Sequence, residues 1–195
     1  NPKNTNQEIF SMQELIEHFS LDGLTKSPAI FDYQKLDWIN GEYFKAMSDE
    51  EFAKSAHAFA GDLTAAVEEK WGYLAALLKP RVSRYDEIPG QIGFFNELPD
   101  YDTDLFNNKR NKVNPEKAAA ILPQAIEALT PLTEWTPEAI DEKLEAVIAA
   151  SGLKMGTFMW PVRIALSGQK VTPGGVTELL YILGQENSLK RLEKG

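Results

Sequence analysis

The chain of 195 residues contains no cysteine, which excludes disulfides and thiolate metal sites and fits a cytoplasmic protein. Its two histidines, His18 and His57, have no partners at metal-ligand spacing, so no metal site is predicted. No apolar run approaches the roughly 20 residues that a membrane-spanning helix needs. We therefore expect no membrane association.

Signatures of catalysis are also missing. The "GQIG" at Gly90–Gly93 has neither the glycine spacing nor the strand context of a nucleotide-binding loop. No nucleophile elbow, metalloprotease or kinase pattern occurs. The acidic cluster Asp49-Glu50-Glu51 falls in a predicted first helical turn, where the helix dipole favours negative charge. The residues alone predict no catalytic site.

Positive charge is scarce, because 20 Lys and Arg stand against 29 Asp and Glu, for a net charge of -9. This balance argues against nonspecific nucleic-acid binding, and DNA is not an expected partner. The distribution is uneven, however, since residues 154–195 hold six cations and three anions. The protein is thus acidic with a basic end.

Helix signals recur along the chain, whereas the alternating pattern of strands is nearly absent. Ser11 and Ser48 each begin a capping-box sequence. Three further start signals pair a cap residue with a following proline: Asn114-Pro115, Thr136-Pro137 and Thr172-Pro173. Three glycines mark stops: Gly61, Gly152 and Gly184. These signals predict an all-α fold of nine or ten helices.

The weakest helical region is 96–114, which is polar, rich in Asn and Asp, and interrupted by Pro99. It is typical of a linker or surface loop. We therefore predict two helical subdomains, 1–98 and 99–195. Because the first residue is asparagine rather than methionine, we expect the chain to be a piece of a longer protein.

Several residues of the kind that recognise ligands stand in unusual settings. Arg163 lies among apolar residues, so it must pair internally or present its donor fork to a ligand. Arg81 follows an apolar helix together with Lys79 and Arg84, where the helix dipole alone also favours cations. The segment Thr172–Gly175 opens a predicted helix, and its backbone N–H groups could bind phosphates or base edges.

The stretch "FDYQKLDWINGEYF" brings Lys35, Trp38 and Asn40 close together in sequence. Its aromatic residues are most often core residues. Lys35 and Asn40 could instead reach a phosphate. The stretch leaves both interpretations open.

Four blocks together resemble the C-terminal half of bacterial-type glutamyl-tRNA synthetases. "SPAIFDYQKLDWINGEYF" looks like the family's "FD..KL.W.N..Y" block, and "LKPRVSRYDEI" matches its arginine-bearing helix end. "MWPVRIALSG" is similar to "PLR.ALTG", and "TPGGVTELLYILGQENSLKRLEK" to "PG..E.L..LG.E..L.RL". The resemblance follows the family's order over nearly the whole chain.

The resemblance implies a helical region that binds the anticodon loop of glutamate tRNA, acting as a monomer. It implies that ligation of glutamate, which needs ATP and Mg²⁺, belongs to a catalytic half that this chain lacks, so no cofactor is expected here. The arginine matching Arg81 would read the third anticodon base. Arg163 and four residues of the following turn would contact the other bases: Thr172, Pro173, Gly174 and Val176. Lys35 and Trp38 would lie near the tRNA stem.

Two alternatives remain open at this point. A synthetase-derived helical module that binds proteins would keep the core but would not need Arg81 or Arg163. A generic helical enzyme domain would need convergent titratable groups, which the sequence does not offer.

Overall fold

The computed structural model describes residues 7–21 and 30–195, and the regular secondary structure in these ranges is helical. The described residues form no strand, only an isolated antiparallel bridge between Asn108 and Val113. The all-α prediction is therefore confirmed. The α-helices of the described ranges are α1 (Met12–His18), α2 (Tyr33–Ala46), α3 (Asp49–His57), α4 (Ala65–Glu69), α5 (Trp71–Leu78), α6 (Ile88–Asn96), α7 (Pro115–Leu129), α8 (Pro137–Ser151), α9 (Met155–Ser167), α10 (Val176–Leu183) and α11 (Gln185–Lys194). Short 3₁₀ helices at Tyr85–Glu87 and Thr103–Phe106 join them.

The predicted helix starts are confirmed at four of the five positions. Ser11 and Ser48 form complete capping boxes with Glu14 and Glu51. Asn114 and Thr136 are the N-caps of α7 and α8, and each is followed by a proline in the first turn. The side chain of each cap accepts a hydrogen bond from a backbone N–H of that turn. In both helices the cap satisfies one of the four donors that a helix start leaves unpaired.

The start predicted at Thr172 is wrong, because α10 begins at Val176 with Gly175 as its N-cap. The hydroxyl of Thr172 is instead hydrogen-bonded to Arg163 and to the carbonyl of Gly174. The side chain that would cap a helix here holds an arginine in place.

The predicted helix ends at Gly152 and Gly184 are confirmed, since these glycines have positive φ angles and are the C-caps of α8 and α10. The end predicted at Gly61 is wrong, because α3 ends at His57 with Ala58 as its C-cap. The helix number exceeds the predicted nine or ten because a break at Lys70 (φ -106, ψ 14) separates α4 from α5. No proline or glycine stands at that position to signal it.

The buried side chains form one hydrophobic cluster that extends from Phe44 on α2 to Leu192 on α11. The last five helices pack on one another, and α3 packs against α5. Contacts between α4 and α10 join the two groups. The buried core is thus continuous across residue 98, and the division into two subdomains stays a prediction.

Arg191 adds a polar connection between the halves. Its guanidinium donates to the carbonyls of Phe94 (2.7 Å), Phe95 (3.0 Å) and Leu166 (2.8 Å). These carbonyls belong to the last turns of α6 and α9, where no intrahelical donor remains. One side chain on α11 therefore caps two other helices.

No helix among the described residues is both long and apolar enough to cross a membrane.

Candidate functional site

A surface cavity of about 380 Å³ gathers residues from four separate segments of the chain. The segments are the turn after α5, the loop before α7, one face of α9 and the turn between α9 and α10. We call it the basic cavity, because its charged lining residues are Arg81, Arg163 and Lys170. Among the residues that the structure describes, no acidic residue lines it.

One face of α9 supplies the floor. Gly156, Met159, Trp160 and Arg163 all line the cavity. Their spacing of three, four and seven residues places them on a single side of an α-helix. Other residues of α9 are buried in the core: Phe158, Val162, Ile164, Ala165 and Leu166. Core packing of α9 therefore fixes the direction in which Arg163 points.

The guanidinium of Arg163 is held by the turn opposite it. Its Nη1 donates to the hydroxyl of Thr172 and, at 3.2 Å, to the carbonyl of Gly174. The Thr172 hydroxyl itself donates to the same carbonyl at 2.7 Å. The two groups that accept from Arg163, a hydroxyl and a carbonyl, are both uncharged. They orient the guanidinium without neutralising its positive charge.

Other donors of Arg163 remain available. Within the described part of the chain, its Nε and Nη2 form no hydrogen bond and no carboxylate lies within 4.0 Å. Every fully buried side-chain nitrogen in the described residues has a hydrogen-bond partner. Because Nε and Nη2 of Arg163 have none, they are not fully buried and reach solvent. A ligand in the cavity could accept from a preoriented guanidinium edge.

Arg81 enters from the turn that follows α5. Its N–H donates to the carbonyl of Leu78 at 2.8 Å, which continues the helix end by one turn. The neighbouring cations are neutralised, since Lys79 pairs with Asp49 and Arg84 with Asp37 and Asp86. Arg81 is exposed and has no ion pair among the described residues.

The two arginines act on each other electrostatically. Burial lowers the pKa of Arg163, and the nearby charge of Arg81 lowers it further, while Glu178 opposes both effects. Two positive charges close enough to repel each other favour an anionic or acceptor-rich ligand. The local electrostatics are thus opposite in sign to the acidic protein as a whole.

The turn at Gly174 depends on a close approach. A Cβ on Gly174 would lie 2.7 Å from the Cβ of Glu178 and 3.2 Å from Cδ1 of Leu77. A side chain there would force the turn away from α10. Glycine therefore allows the carbonyl of Gly174 to reach Arg163.

The segment predicted as a linker or surface loop contributes Asn111 to the cavity lining. The indole Nε1 of Trp160 donates to the carbonyl of Phe106 at 3.1 Å, and Thr157 Oγ1 to that of Asn111 at 2.8 Å. The side chain of Asn111 packs directly over Gly156, where a Cβ would lie 2.8 Å from its Oδ1. These contacts fix the segment to α9.

Four of the six residues predicted from the sequence to contact an anticodon line the cavity: Arg81, Arg163, Thr172 and Gly174. Pro173 and Val176 are buried and do not line it. Sequence reasoning missed Asn111, Met159 and Lys170, which do. Met159 lies four residues before Arg163, and this helical spacing could have indicated that both side chains face the same site.

The two residues predicted to contact a tRNA stem lie on α2 and do not line the cavity. Lys35 pairs with Glu8 at 2.7 Å, and both side chains are about half exposed. Trp38 is 44% exposed. The side-chain amide of Asn40 donates to the carbonyl of Ser83, which uses one of its two N–H groups.

The described residues contain no group of three or more His, Cys, Asp or Glu side chains placed to hold a metal ion. What the cavity offers is a set of directed donors beside an aromatic ring and backbone groups. Such an arrangement binds a ligand by hydrogen bonding, charge and stacking.

Comparison with known proteins gives a consistent result. Residues 37–195 match the family described as "Anticodon binding domain". Glutamate–tRNA ligase of Clostridium novyi (strain NT) is 39% identical over 194 residues, which are 98% of this chain and 40% of that protein. The same ligase of Clostridium kluyveri is 42% identical over 197 residues, covering 100% of this chain and 40% of the relative.

Among solved structures, a glutamate tRNA ligase from Elizabethkingia meningosepticum, crystallised in complex with its amino acid, superposes with a TM-score of 0.82. It is 29% identical, and the match covers 99% of this chain and 38% of that one. The chain thus spans about 40% of the length of the curated relatives it matches.

Proposed function

Since the chain belongs to the family of anticodon-binding domains, we propose that it binds the anticodon loop of glutamate tRNA as part of a glutamate–tRNA ligase. One observation carries the proposal. Arg81 and Arg163 meet in a cavity without acidic lining residues, and neither forms an ion pair among the described residues.

The cavity suits splayed, single-stranded bases rather than a duplex. Proteins read RNA loops by holding unstacked bases between guanidinium planes, aromatic rings and directed donors. Arg81 is the residue proposed to read the third anticodon base, because its exposed guanidinium is free to donate to a base edge in two places. Arg163, held by Thr172 and Gly174, is proposed to contact another base.

The remaining residues predicted to contact tRNA do not line the cavity. Pro173 and Val176 are buried and do not line the cavity, so they are proposed to hold Thr172 and Gly174 in position rather than to touch RNA. On α2, the exposed Trp38 is available to an RNA stem. Lys35 would have to leave Glu8, and a half-exposed pair of this kind costs about 0–1 kcal/mol to break.

Catalysis is proposed to reside outside this chain. ATP, Mg²⁺ and glutamate would bind to the remainder of a longer cytoplasmic ligase. The chain alone should behave as a monomer, should form no glutamyl-adenylate and should charge no tRNA. ATP–pyrophosphate exchange by the purified chain above background would contradict this part of the proposal.

The binding proposal is tested by titrating the protein with a synthetic anticodon stem-loop of glutamate tRNA and with a hairpin of the same stem and a scrambled loop. We expect preferential binding of the first. Arg163→Ala should weaken that binding by about 1–3 kcal/mol, the range for a bidentate arginine contact.

The matched control is Lys54→Ala, which removes one positive charge from the exposed surface of α3, away from the lining residues. It should bind both hairpins as the unmodified protein does. Equal affinity of the unmodified protein for the two hairpins would instead favour a helical module that binds proteins.

A further inference from the structure

We propose that the loop of residues 107–112, "NNKRNK", is a second RNA-contacting element that binds the sugar-phosphate backbone of the strand whose bases enter the basic cavity. The inference rests on the proposed function and extends it to a segment outside the predicted anticodon residues. We call this segment the basic loop.

The backbone of the basic loop is fixed at both ends. Asn108 and Val113 exchange two hydrogen bonds of 2.9 and 3.1 Å, which close the loop. Asn108 Oδ1 accepts from the N–H of Asn111 at 3.0 Å inside it. Lys112 adopts a left-handed conformation with φ 54, and Lys117 Nζ donates to its carbonyl at 3.2 Å. The loop is therefore an ordered turn and not a flexible tail.

The basic loop is also fixed in place relative to the cavity. The hydroxyl of Thr157 donates to the carbonyl of Asn111, and the side chain of Asn111 lines the cavity. Arg110 and Lys112 flank Asn111 directly in sequence. The exposed cationic side chains thus belong to the same fixed turn as Asn111, which lines the cavity where the bases are proposed to bind.

The positive charges of the basic loop are not neutralised by ion pairs within the described residues. Lys109, Arg110 and Lys112 are exposed, and none of them forms an ion pair within the described ranges. The carboxylates near the loop in sequence are Asp102, Asp104 and Glu116, and Glu116 lies in the first turn of α7, where the helix dipole favours negative charge. Asp102 caps the 3₁₀ helix by accepting from Asp104 N–H at 2.8 Å, and Asp104 accepts from Asn107 at 3.2 Å.

Three unpaired cations on one turn are unusual in a chain with a net charge of -9. Phosphates are the strongest anionic ligands that an RNA loop offers, and contacts to them fix the register of a strand without reading sequence. The loop would therefore supply affinity, whereas Arg81 and Arg163 would supply base discrimination.

The test compares the double variant Lys109→Gln/Arg110→Gln with a control, Lys54→Gln/Lys194→Gln. The loop variant and the control each lose two positive charges. The two residues changed in the control are exposed and do not line the cavity. The loop side chains that are changed make no hydrogen bond within the described residues, so stability should be unaffected. Urea unfolding of both variants checks this.

Binding is measured with the glutamate anticodon stem-loop and with its third-base-swapped form, at several salt concentrations. The loop variant should lower the salt slope by about 1.4, because each single-strand phosphate contact contributes about 0.7. The affinity gap between unmodified protein and loop variant should then shrink roughly sevenfold between about 50 and 200 mM salt. The loss should be the same for both stem-loops.

Two negative results have different meanings. If the protein discriminates the two stem-loops but the loop variant matches the control in affinity and slope, the basic loop does not contact phosphate and this inference alone is wrong. If the unmodified protein binds neither stem-loop, the proposed function and the inference fall together. A loop variant that loses affinity for one stem-loop only would also overturn the backbone role.

Discussion

Arg191 offers a sharp test of how the two halves of the chain are joined. Its guanidinium makes three hydrogen bonds, to the carbonyls of Phe94, Phe95 and Leu166, at the ends of α6 and α9. The change Arg191→Met keeps the aliphatic stem and removes all three donors. It isolates the polar connection from the packing of the side chain.

The expected loss follows from the contacts. A hydrogen bond to a charged group contributes about 1.5–3 kcal/mol, so three independent bonds would sum to about 4.5–9 kcal/mol, which exceeds the expected loss. Arg191 is only partly buried, and burial lowers the pKa of its guanidinium, so some of the interaction is offset by lost hydration. Water can also reach part of the vacated site. We therefore expect a loss of about 2–4 kcal/mol in the free energy of unfolding.

Urea unfolding followed by circular dichroism measures this loss. Lys194→Met on the same helix is the matched control, because Lys194 is exposed and has no hydrogen bond in the described part of the chain. The control should change stability by less than about 0.5 kcal/mol. If Arg191→Met and Lys194→Met were indistinguishable, the guanidinium would not connect the helices, and hydrophobic packing alone would join the halves.

Three further changes test the cavity itself. Gly174→Ala places a Cβ 2.7 Å from Glu178 Cβ, and we expect a destabilisation of about 1–3 kcal/mol, measured by urea unfolding, together with weaker stem-loop binding; an unchanged affinity would contradict the need for this turn. Thr172→Val keeps the shape of a buried residue but removes its bonds to Arg163 and Gly174, and it should cost about 1–2 kcal/mol in unfolding and also weaken binding. Trp160→Phe removes the 3.1 Å bond to Phe106, which should expose the amides of the 107–112 loop to faster hydrogen exchange; an unchanged exchange rate would show that the indole does not hold the loop.

Much of the helical fold is encoded by local signals. The capping boxes at Ser11 and Ser48 act within one helical turn, so the residues that form them are visible as a short motif. The left-handed glycines that end helices are equally local. The resemblance to glutamyl-tRNA synthetases, drawn from four sequence blocks, is confirmed by the family match and by the relatives.

Non-local contacts account for what the sequence did not predict. Thr172 has the local pattern of a helix cap, yet Arg163, nine residues earlier in the chain, takes its hydroxyl. The segment 96–114 is polar and rich in turn formers, and nothing within it announces that Trp160 and Thr157 bind its carbonyls. Arg191 looked like one more cation of a basic end, although its acceptor Phe94 lies 97 residues away.

The central claim is that the basic cavity reads anticodon bases, and Arg81→Gln tests it most directly. The change keeps a polar side chain but removes the charge and the bidentate fork. The measurement is the ratio of affinities for the glutamate anticodon stem-loop and its third-base-swapped form. We predict that the ratio falls by the equivalent of about 1–3 kcal/mol, while the salt slope changes little. If Arg81→Gln instead weakens both stem-loops equally and lowers the salt slope by about one, Arg81 contacts phosphate and the claim that it reads a base is wrong.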